Sequence, residues 1–392
     1  MTTSFDCIHN RCNTGSLKWD FMKEKLGLDG TDRLPMWVSD YDFQAPPHVL
    51  EALHNRIDHG IFGYAERNDD YYQAIITWYQ EQHHIHIEKE WITTVHGVLP
   101  GLSIAIQLLT ETNDKVVMQT PGYGSFRKIV EFNDRVLVEN PLIEQQGNYT
   151  IDLAHLESCF QQGAKVMIFC NPHNPVGKAW SKEEITAVAE LCHQYDVWLL
   201  SDEIWGDLAM GDNTYHSALS LSLPENLQQK LIVATAASKT FGLSSVRISN
   251  FMIPNQELKA RLVRRLDAHG MDVYNSLAMC AATAAYQTSA PWLNELKTYL
   301  QENITTLATF IESELPELHF TPPEAGYLAW VDCRDLELTD KELERKLVEA
   351  GIVPSMGIAF GNEGSGFIRL NLGCPREVLI QAMQRIKVAL SS

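Results

Sequence analysis

The sequence predicts an α/β protein: a largely parallel sheet with helices on both faces, followed by a smaller α+β C-terminal domain. Three observations predict it. From about Trp91 onward, short β-branched runs alternate with longer helical patterns, the signature of βαβ units. Several strand candidates are apolar at almost every position, as expected of strands covered on both faces. Polar residues able to do chemistry fall just after those strands, where open α/β sheets bind ligands.

Taken in order, residues 1–45 carry little regular pattern and many turn formers and aromatics, and are expected to form an arm packed on the small domain. Residues 46–285 are assigned to the large domain. Its candidate strands are Trp91–Val95, Lys115–Gln119, Lys165–Cys170, Val197–Ser201, Leu231–Thr235 and Ile248–Ile253. Pro100 suits the first turn of a helix running to about Leu109. Ile185, Val188, Ala189 and Cys192 follow helical spacing, with Ser181 as the expected N-cap. Residues 286–392 are assigned to the small domain, roughly a hundred residues, a common domain size. A long helix from Pro291 to about Glu314 opens it and Pro316 stops that helix. Strands at Gly326–Asp332 and Phe367–Leu370 and helices at Lys341–Glu349 and Arg376–Leu390 complete it.

Composition narrows the function. The formal charge of −19 disfavours nucleic acid and anionic membrane surfaces as partners. There is no run of ~20 apolar residues, and the start Met1-Thr2-Thr3-Ser4-Phe5-Asp6 lacks the basic-then-apolar order of a signal peptide. A cytoplasmic location is the expectation. The eight cysteines are scattered without a Cys-x-x-Cys pair and read as reduced thiols. His83-His84-x-His86 has no cysteine or carboxylate at a familiar ligand spacing and reads as a solvated turn rather than a metal site.

Four strand-end loops carry candidate binding groups. In Thr94-Val95-His96-Gly97-Val98-Leu99-Pro100-Gly101, Gly97 permits a tight turn and the helix start exposes backbone N–H groups, an anion site or a plain strand-to-helix turn. Thr120-Pro121-Gly122-Tyr123-Gly124 sets one aromatic among glycines, able to lie against a flat heterocycle or simply to join the core. Asn171-Pro172-His173-Asn174-Pro175 offers in Asn174 an amide that can donate to a phenolate oxygen, or forms a rigid surface turn. Ser201-Asp202-Glu203-Ile204-Trp205 puts Asp202 at a strand terminus, fit either to cap or to pair with a protonated pyridine nitrogen. A fifth run, Ala237-Ser238-Lys239-Thr240-Phe241-Gly242-Leu243-Ser244-Ser245-Val246-Arg247, joins a primary amine to an arginine eight positions on. Lysine forms Schiff bases once its amine is neutral, and an arginine fork can grip a phosphate. An aldehyde that carries a phosphate on a pyridine ring is pyridoxal 5′-phosphate.

The order Asn-Pro-x-Gly, Asp-Glu, then Ser-Lys with a later Arg resembles the fold-type I pyridoxal-phosphate enzymes of the aspartate aminotransferase superfamily. Gly15-Ser16-Leu17-Lys18-Trp19-Asp20, Leu34-Pro35-Met36-Trp37-Val38-Ser39-Asp40-Tyr41-Asp42-Phe43, Gly60-Ile61-Phe62-Gly63-Tyr64 and Arg369-Leu370-Asn371-Leu372-Gly373-Cys374-Pro375 resemble its MalY/PatB-type C–S lyase branch. The resemblance runs from about Phe5 to the C-terminus. It implies a mostly parallel sheet of the seven-stranded type. It also implies that Lys239 is the Schiff-base lysine and proton shuttle, that Asp202 meets the pyridine nitrogen and Asn174 the ring oxygen, and that Tyr123 stacks on the ring. Gly97, Val98, Leu99, Ser238 and Arg247 would hold the phosphate, joined by Tyr64 from the partner subunit of a homodimer. Arg369 would clamp the substrate α-carboxylate near the backbone of Trp37 to Ser39, with Asn174 alongside; an ordinary salt bridge is the other reading of Arg369.

The chain departs from that pattern at two places. Trp205 stands where many relatives carry Tyr or His, and its indole donates but does not accept. Ser244-Ser245 and Arg247 are closer to the aminotransferase pattern than to the lyase branch. The implied reaction is β-elimination of a thiol from a cystathionine- or cysteine-type amino acid. Transamination to a keto acid is the alternative, and contact with a transcription regulator, with weak or lost catalysis, is a third.

Overall fold

The computed structural model describes residues 4–28, 32–221, 223 and 225–390. Two helices open the large unit, α1 (Pro47–His59) and α2 (Asp69–His83). The strands of its sheet are β1 (Ile92–Val95), β2 (Lys115–Thr120), β3 (Val136–Pro141), β4 (Ala164–Cys170), β5 (Trp198–Asp202), β6 (Leu231–Thr235) and β7 (Ser249–Met252). Their spatial order is β1-β7-β6-β5-β4-β2-β3. β2 through β6 pair in parallel, whereas β7 runs antiparallel to both β1 and β6. That single reversal places the start of β7 beside the ends of its neighbours, with Ser249 opposite Val95 and Asn250 opposite Thr235.

Alternation along the strands feeds two cores. Val116, Val166, Ile168, Leu200 and Ile232 pack with α3 (Val98–Leu109) on one face, while Val117, Met167, Phe169, Leu199 and Val233 pack on the other with α2 and α4 (Lys182–Gln194). Each such buried side chain contributes about 1.5–3 kcal/mol of burial. α4 begins in a capping box, Ser181 Oγ accepting from Glu184 N–H and the Glu184 side chain reaching back to the Ser181 N–H.

β3 has no counterpart among the strands expected from the sequence. It is an edge strand with a single neighbour, and most of its residues are exposed or half-buried. The other six strands lie within two residues of their expected ends. α5 (Ala237–Thr240) follows β6 as a single turn.

The C-terminal part begins with α6 (Ala290–Glu314), which ends before Pro316 as its sequence requires. Four short strands follow, β8 (His319–Phe320), β9 (Leu328–Asp332), β10 (Ser355–Met356) and β11 (Phe367–Asn371), ordered β8-β9-β11-β10 and all antiparallel. The N-terminal residues include two short helices, Leu17–Asp20 and Met22–Leu26, which are too short to show a helical period. Leu34 and Pro35 pair in parallel with Ile352 and Val353. No described helix is long and apolar enough to cross a membrane.

Candidate active site

Five connections bring their side chains to one edge of the sheet. Asp202 is the last residue of β5, Asn174 lies in the loop after β4, Tyr123 follows β2, Gly97 follows β1 and Lys239 sits in α5 after β6. Because β7 is reversed, Arg247 just before it comes to the same edge. A cavity of about 190 Å³ is lined by Ser39, Gly97, Val98, Leu99, Tyr123, Asn174, Asp202, Trp205, Ser238, Lys239 and Arg247. A larger cleft of about 630 Å³ lies elsewhere, around Tyr149, Trp330 and Arg334. Its charged groups are already matched, Arg334 with Asp332 and Glu144 and His319 with Asp335.

Lys239 Nζ donates to the Ser39 carbonyl at 2.7 Å and to Ser39 Oγ at 2.9 Å, and lies 5.5 Å from the centre of the Trp205 ring. Burial and the nearby Arg369 guanidinium push the amine down to about 8, against the pull of Asp40 and Asp202. Asp202 is pushed the other way, up to about 7, by burial and then by Glu203, although Ile204 N–H and Lys239 favour its charge. A protonated pyridine nitrogen would supply the partner this buried carboxyl lacks.

Glu203 is a buried carboxylate of another kind. It accepts from Ser201 Oγ at 2.7 Å, Ser217 Oγ at 2.5 Å, Ala218 N–H at 2.9 Å and the Tyr215 hydroxyl. A group with four donors around it is suited to an acceptor-only carboxylate, and this one fixes the turn that presents Asp202.

Arg369, 5% exposed, donates through Nη1 to Asn174 Oδ1 at 3.0 Å and through Nη2 to the Trp37 carbonyl at 3.0 Å and Ser355 Oγ at 3.2 Å. Its Nε is buried without a partner, and no carboxylate among the described residues pairs with it. Burial pulls the guanidinium down to about 10. A buried cation in this state is a receptor for an anion. Since guanidinium has no acceptor, the atom of Asn174 facing it must be Oδ1, and the Asn174 Nδ2 donors remain for another ligand.

The phosphate end is equally legible. Gly97, φ +111°, is the N-cap of α3 and gives no side-chain cap, so the N–H groups of Val98 and Leu99 stand free at a helix start. A Cβ on Gly97 would come within 3.7 Å of Arg247 Nη2, which places the guanidinium against that turn. Ser238 and Ser244 line the same cavity. Anion-binding backbone, an arginine, a reactive amine, a buried carboxyl and an amide donor together fit pyridoxal 5′-phosphate.

Three expected residues are not in the cavity lining, and of these Arg369 is joined to it through Asn174. Tyr64 is 95% exposed and does not line the cavity. Trp37 contributes its carbonyl to Arg369, not a lining surface. Sequence reasoning passed over Phe126, Cys170 and Ile204 in the lining, all apolar or nearly so and without a chemical signature. It also passed over His173, which burial drives down to about 4 and whose Nε2 bonds the Pro121 carbonyl at 2.8 Å, tying the Asn174 loop to the Tyr123 loop.

The histidine cluster corrects the expectation of a solvated turn. His83 Nε2 meets Asp207 Oδ1 at 2.7 Å in a nearly buried pair that also receives Trp78 Nε1 and Thr240 Oγ1. Its partner lies 124 residues away, out of reach of local reading. His86 does face solvent, beside Glu88.

A family model for class I and II aminotransferases matches residues 31–386. The chain is 38% identical over 390 residues to cystathionine beta-lyase PatB of Bacillus subtilis (strain 168), covering 99% of this chain and 100% of that protein. Among solved structures it is similar to cystalysin from Treponema denticola, which contains a pyridoxal 5′-phosphate cofactor, with TM-score 0.96 and 32% identity over 100% of this chain and 99% of that one. It is similar also to a PLP-bound putative aminotransferase from Clostridium difficile 630, with TM-score 0.95 and 35% identity over 99% of this chain and 100% of that one. With these matches running essentially end to end, the chain belongs to the class I and II aminotransferase family, alongside PatB.

Proposed function

We propose that this protein is a pyridoxal-phosphate-dependent carbon–sulfur β-lyase, converting a cystathionine- or cysteine-type amino acid and water to a thiol, pyruvate and ammonia. The observation that carries the reading is the meeting of Lys239 and Asp202 at one cavity, with Arg369 bonded to Asn174 of its lining, in a chain aligned end to end with a cystathionine beta-lyase. The bound cofactor supplies a sink for the electron pair left when the substrate Cα–H bond breaks.

The protein's own groups do the rest. Val98 and Leu99 N–H, Ser238 and Arg247 would hold the phosphate, and Tyr123 would lie against the ring. Asn174 Nδ2 would donate to the ring oxygen, and Asp202 would keep a proton on the ring nitrogen. Arg369 receives the substrate α-carboxylate and, through Asn174 Oδ1, fixes the amide at the same time. With its affinity for protons lowered to about 8, Lys239 Nζ is partly neutral near neutral pH and takes the Cα proton. It then holds the proton that a departing thiolate requires.

The active protein is read as a homodimer. Ile57, Ile61, Phe62 and Tyr64 are more than half exposed along the end of α1 and the loop after it, and such a patch suits a subunit interface. Tyr64 would then reach the partner's phosphate site. All eight cysteines are free thiols, in keeping with action in the cytoplasm.

Purified protein incubated with L-cystathionine and no keto acid is expected to release pyruvate. Turnover that appears only when a keto-acid acceptor is added would overturn the lyase reading in favour of transamination, the activity named for the Clostridium difficile structure.

A further inference from the structure

The segment 37–41 is held at every carbonyl. Trp37 O accepts from Arg369 Nη2 and from Ser355 Oγ at 2.9 Å. Val38 O and Asp40 O both accept from Asn371 Nδ2, at 2.6 and 2.7 Å, and Tyr41 O accepts from Arg11 Nη1 at 2.7 Å. Ser39 O accepts from Lys239 Nζ and also from the Tyr327 hydroxyl at 3.0 Å. One stretch of backbone therefore joins the candidate carboxylate-binding arginine to the candidate Schiff-base lysine, and it has little room to shift.

Within that fixed stretch the Ser39 hydroxyl is the free rotor. A carbonyl only accepts, so Ser39 O holds one N–H of the amine in either charge state. A hydroxyl both donates and accepts. It can take an N–H from the ammonium, or turn its own O–H toward the lone pair of the neutral amine. The charge-assisted arrangement is the stronger of the two. The other groups around Nζ are fixed in kind: Arg369 from β11 repels the ammonium, whereas Asp40 from the same segment and Asp202 from β5 attract it. The Tyr327 hydroxyl is engaged with Ser39 O, and the Trp205 ring lies 5.5 Å away.

We propose that Ser39 Oγ is a further catalytic residue, the resting place of the Lys239 amine whenever it is free of the cofactor, raising its affinity for the proton it must carry. This rests on the pyridoxal-phosphate reading above. The hydroxyl makes no covalent bond; it exchanges one hydrogen bond for another as the proton on Nζ comes and goes.

The test uses the cofactor-free protein and follows uptake of pyridoxal 5′-phosphate by the visible absorbance of the lysine-bound cofactor across pH. Only the neutral amine attacks an aldehyde, so the inflection of the uptake rate reports the Lys239 amine. Ser39→Ala is expected to move that inflection down by about half a unit to one unit, making uptake below it roughly three- to tenfold faster. Ser39→Thr, which keeps the hydroxyl, is expected to return it toward the native value. An inflection in Ser39→Ala equal to that of the native protein would overturn the inference while leaving the cofactor reading intact. A native protein that gains no such absorbance, or gains it equally as Lys239→Ala, would overturn the cofactor reading and this inference with it.

Discussion

At the scale of single residues the site is built from charges placed where water cannot stabilise them. Asp202 shows the consequence. Its carboxyl ordinarily titrates near 3.8 and in the folded protein rises to about 7, chiefly through burial and then the charge of Glu203. Between those values the folded chain binds more protons at this position than the unfolded chain, so folding stability contributed by Asp202 falls as pH rises through that window. Asp202→Asn removes the charge and keeps the shape. The cofactor-free Asp202→Asn protein is therefore expected to match the native protein near pH 4, to gain on it between pH 4 and 7, and to stay ahead above pH 7 by on the order of 4 kcal/mol. Urea unfolding of both proteins at pH 4.5 and pH 8 checks this, and equal differences at the two values would contradict it. The same substitution is expected to weaken catalysis in the loaded enzyme, because the ring nitrogen loses the partner that keeps its proton. A residue that costs stability in the empty protein and serves the bound one is what a functional site should contain.

At the scale of elements, the strands were legible where burial on both faces made them continuous apolar runs, and illegible where it did not. Leu231–Thr235 is buried at every position and its sequence says so, whereas Val136–Pro141 at the sheet edge mixes Val, Leu, Glu and Asn with no clear alternation. The loops after the strands were legible because their Gly, Pro, Asn and Asp residues mark turns by known chemistry. What local pattern could not supply was long-range pairing, such as Lys239 with Ser39 across 200 positions. Helix α3 links the two levels, since its packing sets where its N-terminal N–H groups stand. Gly101 lets it lie against β7: a Cβ there would sit 2.4 Å from the Phe251 ring. Gly101→Ala must push the helix off the sheet or turn Phe251 out of its place, at a cost of about 1–3 kcal/mol. The expected outcome is a lower denaturant midpoint together with weaker retention of pyridoxal 5′-phosphate against dialysis. A variant equally stable and equally retentive would show that α3 has slack the packing does not suggest.

At the scale of the whole molecule, one chain supplies every proposed contact except Tyr64. That tyrosine is 95% exposed, yet it stands in an apolar run with Ile61 and Phe62, and the Arg56 guanidinium covers the Phe62 ring at 5.2 Å. If two copies cover this patch in a two-fold dimer, each places its Tyr64 at the other's phosphate site, and every active site is composed from both chains. The arrangement makes a complementation experiment decisive. Lys239→Ala is expected to be inactive, and Tyr64→Ala to be strongly impaired through loss of a phosphate contact. In a hybrid of the two, one site carries both defects while the other has an intact lysine from one chain and an intact tyrosine from its partner. Random pairing makes half the dimers hybrid with half their sites whole, so co-expressed variants should recover up to about a quarter of native activity. A mixture no more active than the Tyr64→Ala protein alone would mean that Tyr64 serves its own subunit or none. A hybrid population verified by differently tagged chains, yet without recovery, would place the shared site out of the question while leaving Lys239, Asp202 and Arg369 as the chemistry of a single chain.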